Sequence, residues 1–115
     1  MVLWIGFDLQ AEIEAGDDTN WTALHLAAMY GKEAVAAQLL QAGASVSAVT
    51  DGGQTPLHVA AYYGKSSIAN LLLQANASPT AVDKGGLTPA QYAKQKDNGD
   101  LAARLLGAEQ AAALK

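Results

Sequence analysis

His25 and His58 are the only two histidines in the chain, and each sits in a copy of the same short phrase. Imidazole is the side chain best suited to proton transfer near neutral pH and to holding a metal. Either role needs carboxylates or a third ligand converging on the ring. No such cluster surrounds these two, which recur by register rather than by grouping with other polar residues. The glycine pairs Gly52-Gly53 and Gly85-Gly86 raise the question of a phosphate-cradling loop, but neither belongs to G-x-x-x-x-G-K-[ST] or to G-x-G-x-x-G. They read as turn glycines. The acidic residues Glu12, Glu14, Asp17 and Asp18 lack the D-x-[DN]-x-[DN]-G spacing of a calcium loop and read as a solvated edge. Serines are scattered, with no general base in register with any of them. There is no cysteine, so thiolate chemistry and disulfides are both excluded. The chain reads as a non-enzyme, with no catalytic, cofactor-binding or metal-binding residue and no small-molecule substrate.

Charge narrows the choice of partner. Residues 1–20 carry five acidic side chains and no basic one, and the remainder sets seven Lys/Arg against six Asp/Glu, for a net charge of −4. Nucleic-acid binding needs a basic stripe to neutralise phosphates, and none is present. The opening "MVLWIGF" lacks a basic n-region and a cleavage site, and is far shorter than the roughly 20 apolar residues that span a bilayer. A cytoplasmic location is expected, with no membrane partner. The glycosylation triplets at Asn20 and Asn76 then read as coincidence. Half of the residues are hydrophobic, but 25 are alanine, which favours helix and lets helices approach closely.

What positions the histidines is a repeat. "TALHLAAMYG" begins at Thr22, "TPLHVAAYYG" at Thr55 and a blurred copy, "TPAQYAKQKD", at Thr88, so the three starts are evenly spaced. Self-similarity at such a fixed period is the mark of a stacked array. Val35, Ile68 and Leu101 align, as do Leu39, Leu72 and Leu105, and Leu40, Leu73 and Leu106. Each row predicts two helices. The first is started by a capping threonine, with proline at the first helical position in rows two and three, and is stopped at Gly31 or Gly64. The second ends at Gly43 or Asn76, the residue types most tolerant of left-handed backbone. Turn-rich stretches between rows project as loops or short hairpins. Neither helix of a row can bury its apolar face alone, so neighbouring rows must stack.

The signature T-P-L-H-x-A-A-x-x-G, intact in row two and short of only the proline in row one, resembles that of ankyrin-repeat proteins over residues 17–108. The resemblance implies an all-α solenoid of stacked antiparallel helix pairs with projecting loops. Its expected divisions are a partial N-terminal repeat or makeshift cap at 1–16, repeats at 17–49 and 50–82, a C-terminal capping repeat at 83–108 and a tail at 109–115. Row three departs, with Ala90-Gln91 for Leu-His and Asp97 for the glycine, and Lys94, Gln95, Lys96 and Asp97 supply the polarity of a cap. At the other end, Trp4, Ile5 and Phe7 are expected to pack partly on row one. The resemblance also implies that each histidine hydrogen-bonds loop backbone and ties neighbouring repeats together.

It implies a binding surface as well. First helices and loop tips line the concave side of such a stack. Columns that vary there are Trp21, Gln54 and Leu87 before the cap, and Met29-Tyr30 and Tyr62-Tyr63 before the glycine. Trp21, Met29, Tyr30, Tyr62 and Tyr63, with Gln54 beside them, are expected to form one exposed patch for a protein partner, flanked by Asp18, Thr19, Asp51 and Lys84; such residue types are enriched at interface centres. A second copy of the chain, in a homo-oligomer, is the alternative partner, held by the apolar N-terminus or by a second surface. It is the small, uncharged outer face of the second helices, Ala34, Ala37, Gln38 and Gln41, then Ser67, Asn70 and Gln74.

Overall fold

The computed structural model describes residues 20–113. The expected half-repeat at 1–16, its apolar residues Trp4, Ile5 and Phe7, the acidic edge, Asp18 and Thr19, and residues 114–115 of the expected tail lie outside the described residues. Among the described residues there are six helices and no strand: α1 (Ala23–Tyr30), α2 (Glu33–Gln41), α3 (Pro56–Tyr63), α4 (Ser66–Gln74), α5 (Pro89–Gln95) and α6 (Gly99–Ala113). They form three stacked helix pairs. First helices pack on first helices, α1 on α3 and α3 on α5, and each also packs on its own second helix.

Every first helix starts the same way. Thr22, Thr55 and Thr88 hold extended backbone, and each hydroxyl accepts the amide N–H three residues on, from His25, His58 and Gln91. That third residue reaches back. His25 Nδ1 and His58 Nδ1 each accept the threonine N–H at 3.1 Å, and Gln91 Oε1 accepts it at 2.9 Å. This is a capping box with imidazole in the place usually taken by Glu or Gln. Gln91, which breaks the sequence signature, thus preserves the cap. The helices stop in left-handed backbone at Gly31 (φ 71°) and Gly64 (φ 71°), and Asp97 adopts the same conformation in row three (φ 58°). The signature is lost there but the turn is not. Gly43 and Asn76 are left-handed after α2 and α4. Row three has no such stop: α6 takes a cap from Asn98, whose Oδ1 accepts the Leu101 N–H, and residues 109–113 of the expected tail continue it as helix.

The core is a set of ladders. Leu24 and Leu57, then Ala27, Ala60 and Ala93, then Ala36, Ala69 and Ala102, then Leu39, Leu72 and Leu105 are all buried. Each fully buried leucine contributes about 1.5–3 kcal/mol, so the leucine rungs carry most of the burial energy while the alanine rungs set how closely helices approach. Val35 is only half-buried where Ile68 and Leu101 are sealed, and the column Leu40, Leu73, Leu106 runs from half-buried to exposed. Recurrence of an apolar residue therefore does not by itself place it in the core.

Rows are joined by polar bonds. Because Nδ1 of each histidine is an acceptor, Nε2 carries the proton and donates to the next row, from His25 to the Gln54 carbonyl and from His58 to the Leu87 carbonyl, both at 2.8 Å. The loops that present those carbonyls are themselves braced. Thr50 Oγ1 accepts the Gly52 and Gln54 amides, and Asp83 Oδ1 accepts those of Gly85 and Leu87. The Lys84 amide donates to the Gly52 carbonyl, and Asn20 Nδ2 donates to Asp51 Oδ1 at 2.7 Å. Gly53, with φ 80°, is left-handed where a Cβ would lie 3.0 Å from the Lys84 nitrogen, so the approach of the next loop requires glycine.

Burial holds the His58 imidazole below its ordinary pKa, and the Leu87 carbonyl and the Asp83 charge offset this only in part. Protonation would also turn the Nδ1 acceptor into a donor facing the Thr55 N–H. The unfolded chain therefore takes up the proton first. Stability is full above the ordinary histidine pKa of about 6.5 and is lost as pH falls below it toward the folded value. We expect the urea midpoint to drop between pH 7.5 and 5.5. His58→Gln keeps a capping side chain but loses the bond to Leu87; it is expected to cost about 1–2 kcal/mol at pH 7.5 and to flatten part of that pH dependence, as followed by circular dichroism.

Candidate protein-recognition site

Four aromatic rings converge on the side of the first helices and loops. Trp21, Gln54, His58, Val59, Tyr62, Tyr63 and Tyr92 line an open cavity of about 380 Å³. Trp21 precedes α1 and Gln54 precedes α3, so capping geometry aims both at the same side. Residues 58, 59, 62 and 63 follow at the three- and four-residue spacing that shares a helix face. Tyr62 packs edge-on against Tyr63 (centroids 4.9 Å apart) and against Tyr92 (5.8 Å), and His58 meets Tyr92 at 5.7 Å, also edge to face. Such pairs add about 0.5–1.5 kcal/mol each beyond area burial, enough to hold the rings in one arrangement. Lys96 Nζ lies over the Tyr62 ring, 4.6 Å from its centroid.

A polar chain fixes the wall. The Tyr92 hydroxyl donates to Asp83 Oδ2 and accepts from Gln54 Nε2 at 3.1 Å. The loop-bracing carboxylate of row three thereby also sets the tyrosine rotamer. Burial pushes the Asp83 carboxyl up, but the Tyr92 hydroxyl, the Leu87 and Gly85 amides and the neighbouring His58 together hold it below its ordinary value. Burial, and then the bond to Asp83, raise the Tyr92 phenol. A neutral phenol donating to an ionised carboxylate is the stable state at neutral pH.

Of the residues singled out from the sequence, Trp21, Gln54, Tyr62 and Tyr63 are brought together at this cavity. Met29 and Tyr30 do not line it. Met29 is half-buried against the core, and Tyr30 stands 64% exposed at the end of α1. The expected single patch is therefore narrower at row one. It is wider at row three, where sequence reasoning misses Tyr92. Tyr92 shares a column with Leu26 and Val59, the unspecified x of T-P-L-H-x-A, so the same search for varying columns would find it. His25 and His58 serve caps and loops, and His58 also contributes its ring to the cavity wall.

The outer face of the second helices is small-sided in rows one and two but not throughout. Its columns end in Asp100 and Arg104, and Arg104 Nη1 donates to Asn70 Oδ1 at 3.2 Å. Among the described residues no group of three or more His, Cys, Asp or Glu side chains is placed to hold a metal ion, and no helix is long and apolar enough to cross a membrane.

Stacked helix pairs with imidazole ties between rows define an all-α repeat solenoid. A family model for ankyrin repeats, three copies, matches residues 4–83 and again residues 47–114, and the chain belongs to the ankyrin-repeat family. A search of curated proteins found none that matches it. Ankyrin repeats generally mediate protein–protein interaction and are typically non-catalytic.

Tyr92→Phe tests the wall. Removing a hydrogen bond to a charged group is expected to cost about 1.5–3 kcal/mol in urea unfolding at pH 7. The Asp83 carboxyl should titrate higher in the variant when followed by NMR.

Proposed function

We propose that this chain is a non-catalytic recognition module that binds a protein partner through the concave face of its stack, at the cavity between Trp21, Gln54, Tyr62, Tyr63 and Tyr92. The observation that carries the proposal is the convergence of four pre-packed aromatic rings from three rows on one open cavity. Aromatic anchors already held in one rotamer lose little freedom on binding, so more of the contact energy is retained as affinity. They also match the side chains that dominate measured interfaces. Tyr30, exposed at the end of α1, and Met29, beside it in sequence, form the outer margin of the surface. A protein without cysteine suits a reducing compartment, and we assign the module to the cytoplasm with neither nucleic acid nor membrane as partner.

The test is selection of displayed random peptides against the full chain, followed by retesting on variants. Tyr62→Ala should weaken the selected peptides by about tenfold or more, whereas Asn70→Glu on the second-helix face should leave them unchanged. Peptides lost with Asn70→Glu and kept with Tyr62→Ala would contradict the concave site. Light scattering on the same samples covers the homo-oligomer. A concentration-dependent dimer dissolved by Asn70→Glu would replace a foreign partner with a second copy of the chain.

A further inference from the structure

Independently of the recognition role, we propose that Asn98-Gly99 is a self-modification site that reacts only when row three opens away from row two, so that the chain keeps a permanent chemical mark of that opening. It is the one Asn-Gly pair in the sequence; Asn20, Asn70 and Asn76 precede Trp, Leu and Ala. Asparagine is among the thermally labile residues. A following glycine, with no Cβ, leaves its backbone nitrogen free to approach the carboxamide. The reaction needs only water. The Gly99 nitrogen gives up its proton and bonds to Asn98 Cγ, and the Cγ–Nδ2 bond breaks to release ammonia, which takes up that proton. Water then opens the cyclic imide at either of its two carbonyl carbons, giving aspartate or isoaspartate.

The folded chain holds the pair away from this step. Asn98 Oδ1 accepts the Leu101 N–H at 3.2 Å at the start of α6. The Asn98 N–H donates to the Ala93 carbonyl and the Asn98 carbonyl accepts the Ala102 N–H, both at 2.9 Å. These bonds fix the peptide units on both sides of Asn98, and swinging its carboxamide onto the Gly99 nitrogen breaks the cap. The carboxamide nitrogen also lies against row two, where a Cβ on Gly64 would stand 3.0 Å from it. That contact, the His58 bond to the Leu87 carbonyl and the Arg104 bond to Asn70 are lost together when row three leaves row two. Gly99 is exposed, so water reaches the pair once the carboxamide is released. The two products differ in consequence. Aspartate keeps a capping oxygen and adds a negative charge at the start of α6, where it is favourable. Isoaspartate routes the backbone through Cγ, one carbon longer, which displaces the capping oxygen and loosens row three.

The full chain and a synthetic peptide of residues 94–103 are held at pH 7.5, and the product at Asn98 is followed by peptide mass spectrometry, with chromatography separating isoaspartate. The peptide should react about tenfold faster or more, since the folded chain reacts only from its opened fraction. His58→Gln, which cuts the tie to row three, should speed the folded chain about fivefold or more. His25→Gln, which cuts the tie between rows one and two, should leave the rate unchanged. Gly99→Ala places its methyl in open space and should suppress the product in chain and peptide alike. In the unaltered chain, urea below the unfolding transition should raise the reaction rate and the hydrogen-exchange rate of the Leu101 amide by the same factor, which tests the coupling without a variant. Equal rates in chain and peptide, or acceleration by His25→Gln equal to that by His58→Gln, would overturn the dependence on row three. A product that survives Gly99→Ala undiminished would overturn the chemistry.

Discussion

Everything in this stack depends on an imidazole that faces two ways. In rows one and two Nδ1 accepts from its own capping threonine at the start of the first helix, which leaves Nε2 as the donor that reaches the next row. One side chain thereby couples helix initiation to repeat stacking. Burial favours the neutral ring and outweighs the opposite pull of the Leu87 carbonyl, so the coupling weakens when the ring is protonated. Alanine ladders add the complementary constraint. They bring first helices close enough for a single hydrogen bond of 2.8 Å to span the gap between rows, which bulkier rungs would hold open.

The candidate site follows from this tie rather than from a separate device. The carbonyl that accepts from His58 belongs to Leu87, in a loop braced by Asp83, and the same carboxylate accepts from the Tyr92 hydroxyl. Tyr92 in turn supports Tyr62 and accepts from Gln54. The aromatic wall is thus assembled only when rows two and three are stacked. A wall built in this way is rigid because its rings are held by the bonds that hold the fold. Row three completes the cavity with its one tyrosine.

Much of this is legible in the sequence. The period of the repeat, the threonine caps and the left-handed stops at Gly31, Gly64, Gly43 and Asn76 each follow from a local rule that tertiary contacts do not override. Trp21, Gln54, Tyr62 and Tyr63 stand out because their columns vary where the architecture is constant. Tyr92 escapes notice because row three is conspicuous for what it lacks. Gln91 and Asp97 break the signature as letters yet keep the cap and the turn, since a carboxamide can replace imidazole as acceptor and Asp tolerates left-handed backbone. Met29 shows the converse: its column matches that of Tyr62, but a flexible thioether settles against the core where a tyrosine remains at the rim. Such differences are set by the size and polarity of one side chain against its neighbours, which periodicity does not encode.

Neutral imidazoles protonated at Nε2 join the rows, and a long-range proton–nitrogen NMR spectrum of the histidine rings at pH 7 tests this most directly. Both rings should show a bare Nδ1 and a protonated Nε2 whose proton exchanges slowly with water, and His58→Gln should remove only the second set of signals. Rings protonated at Nδ1, or averaging between the two tautomers, would contradict the tie and with it the coupling of cap, stack and cavity.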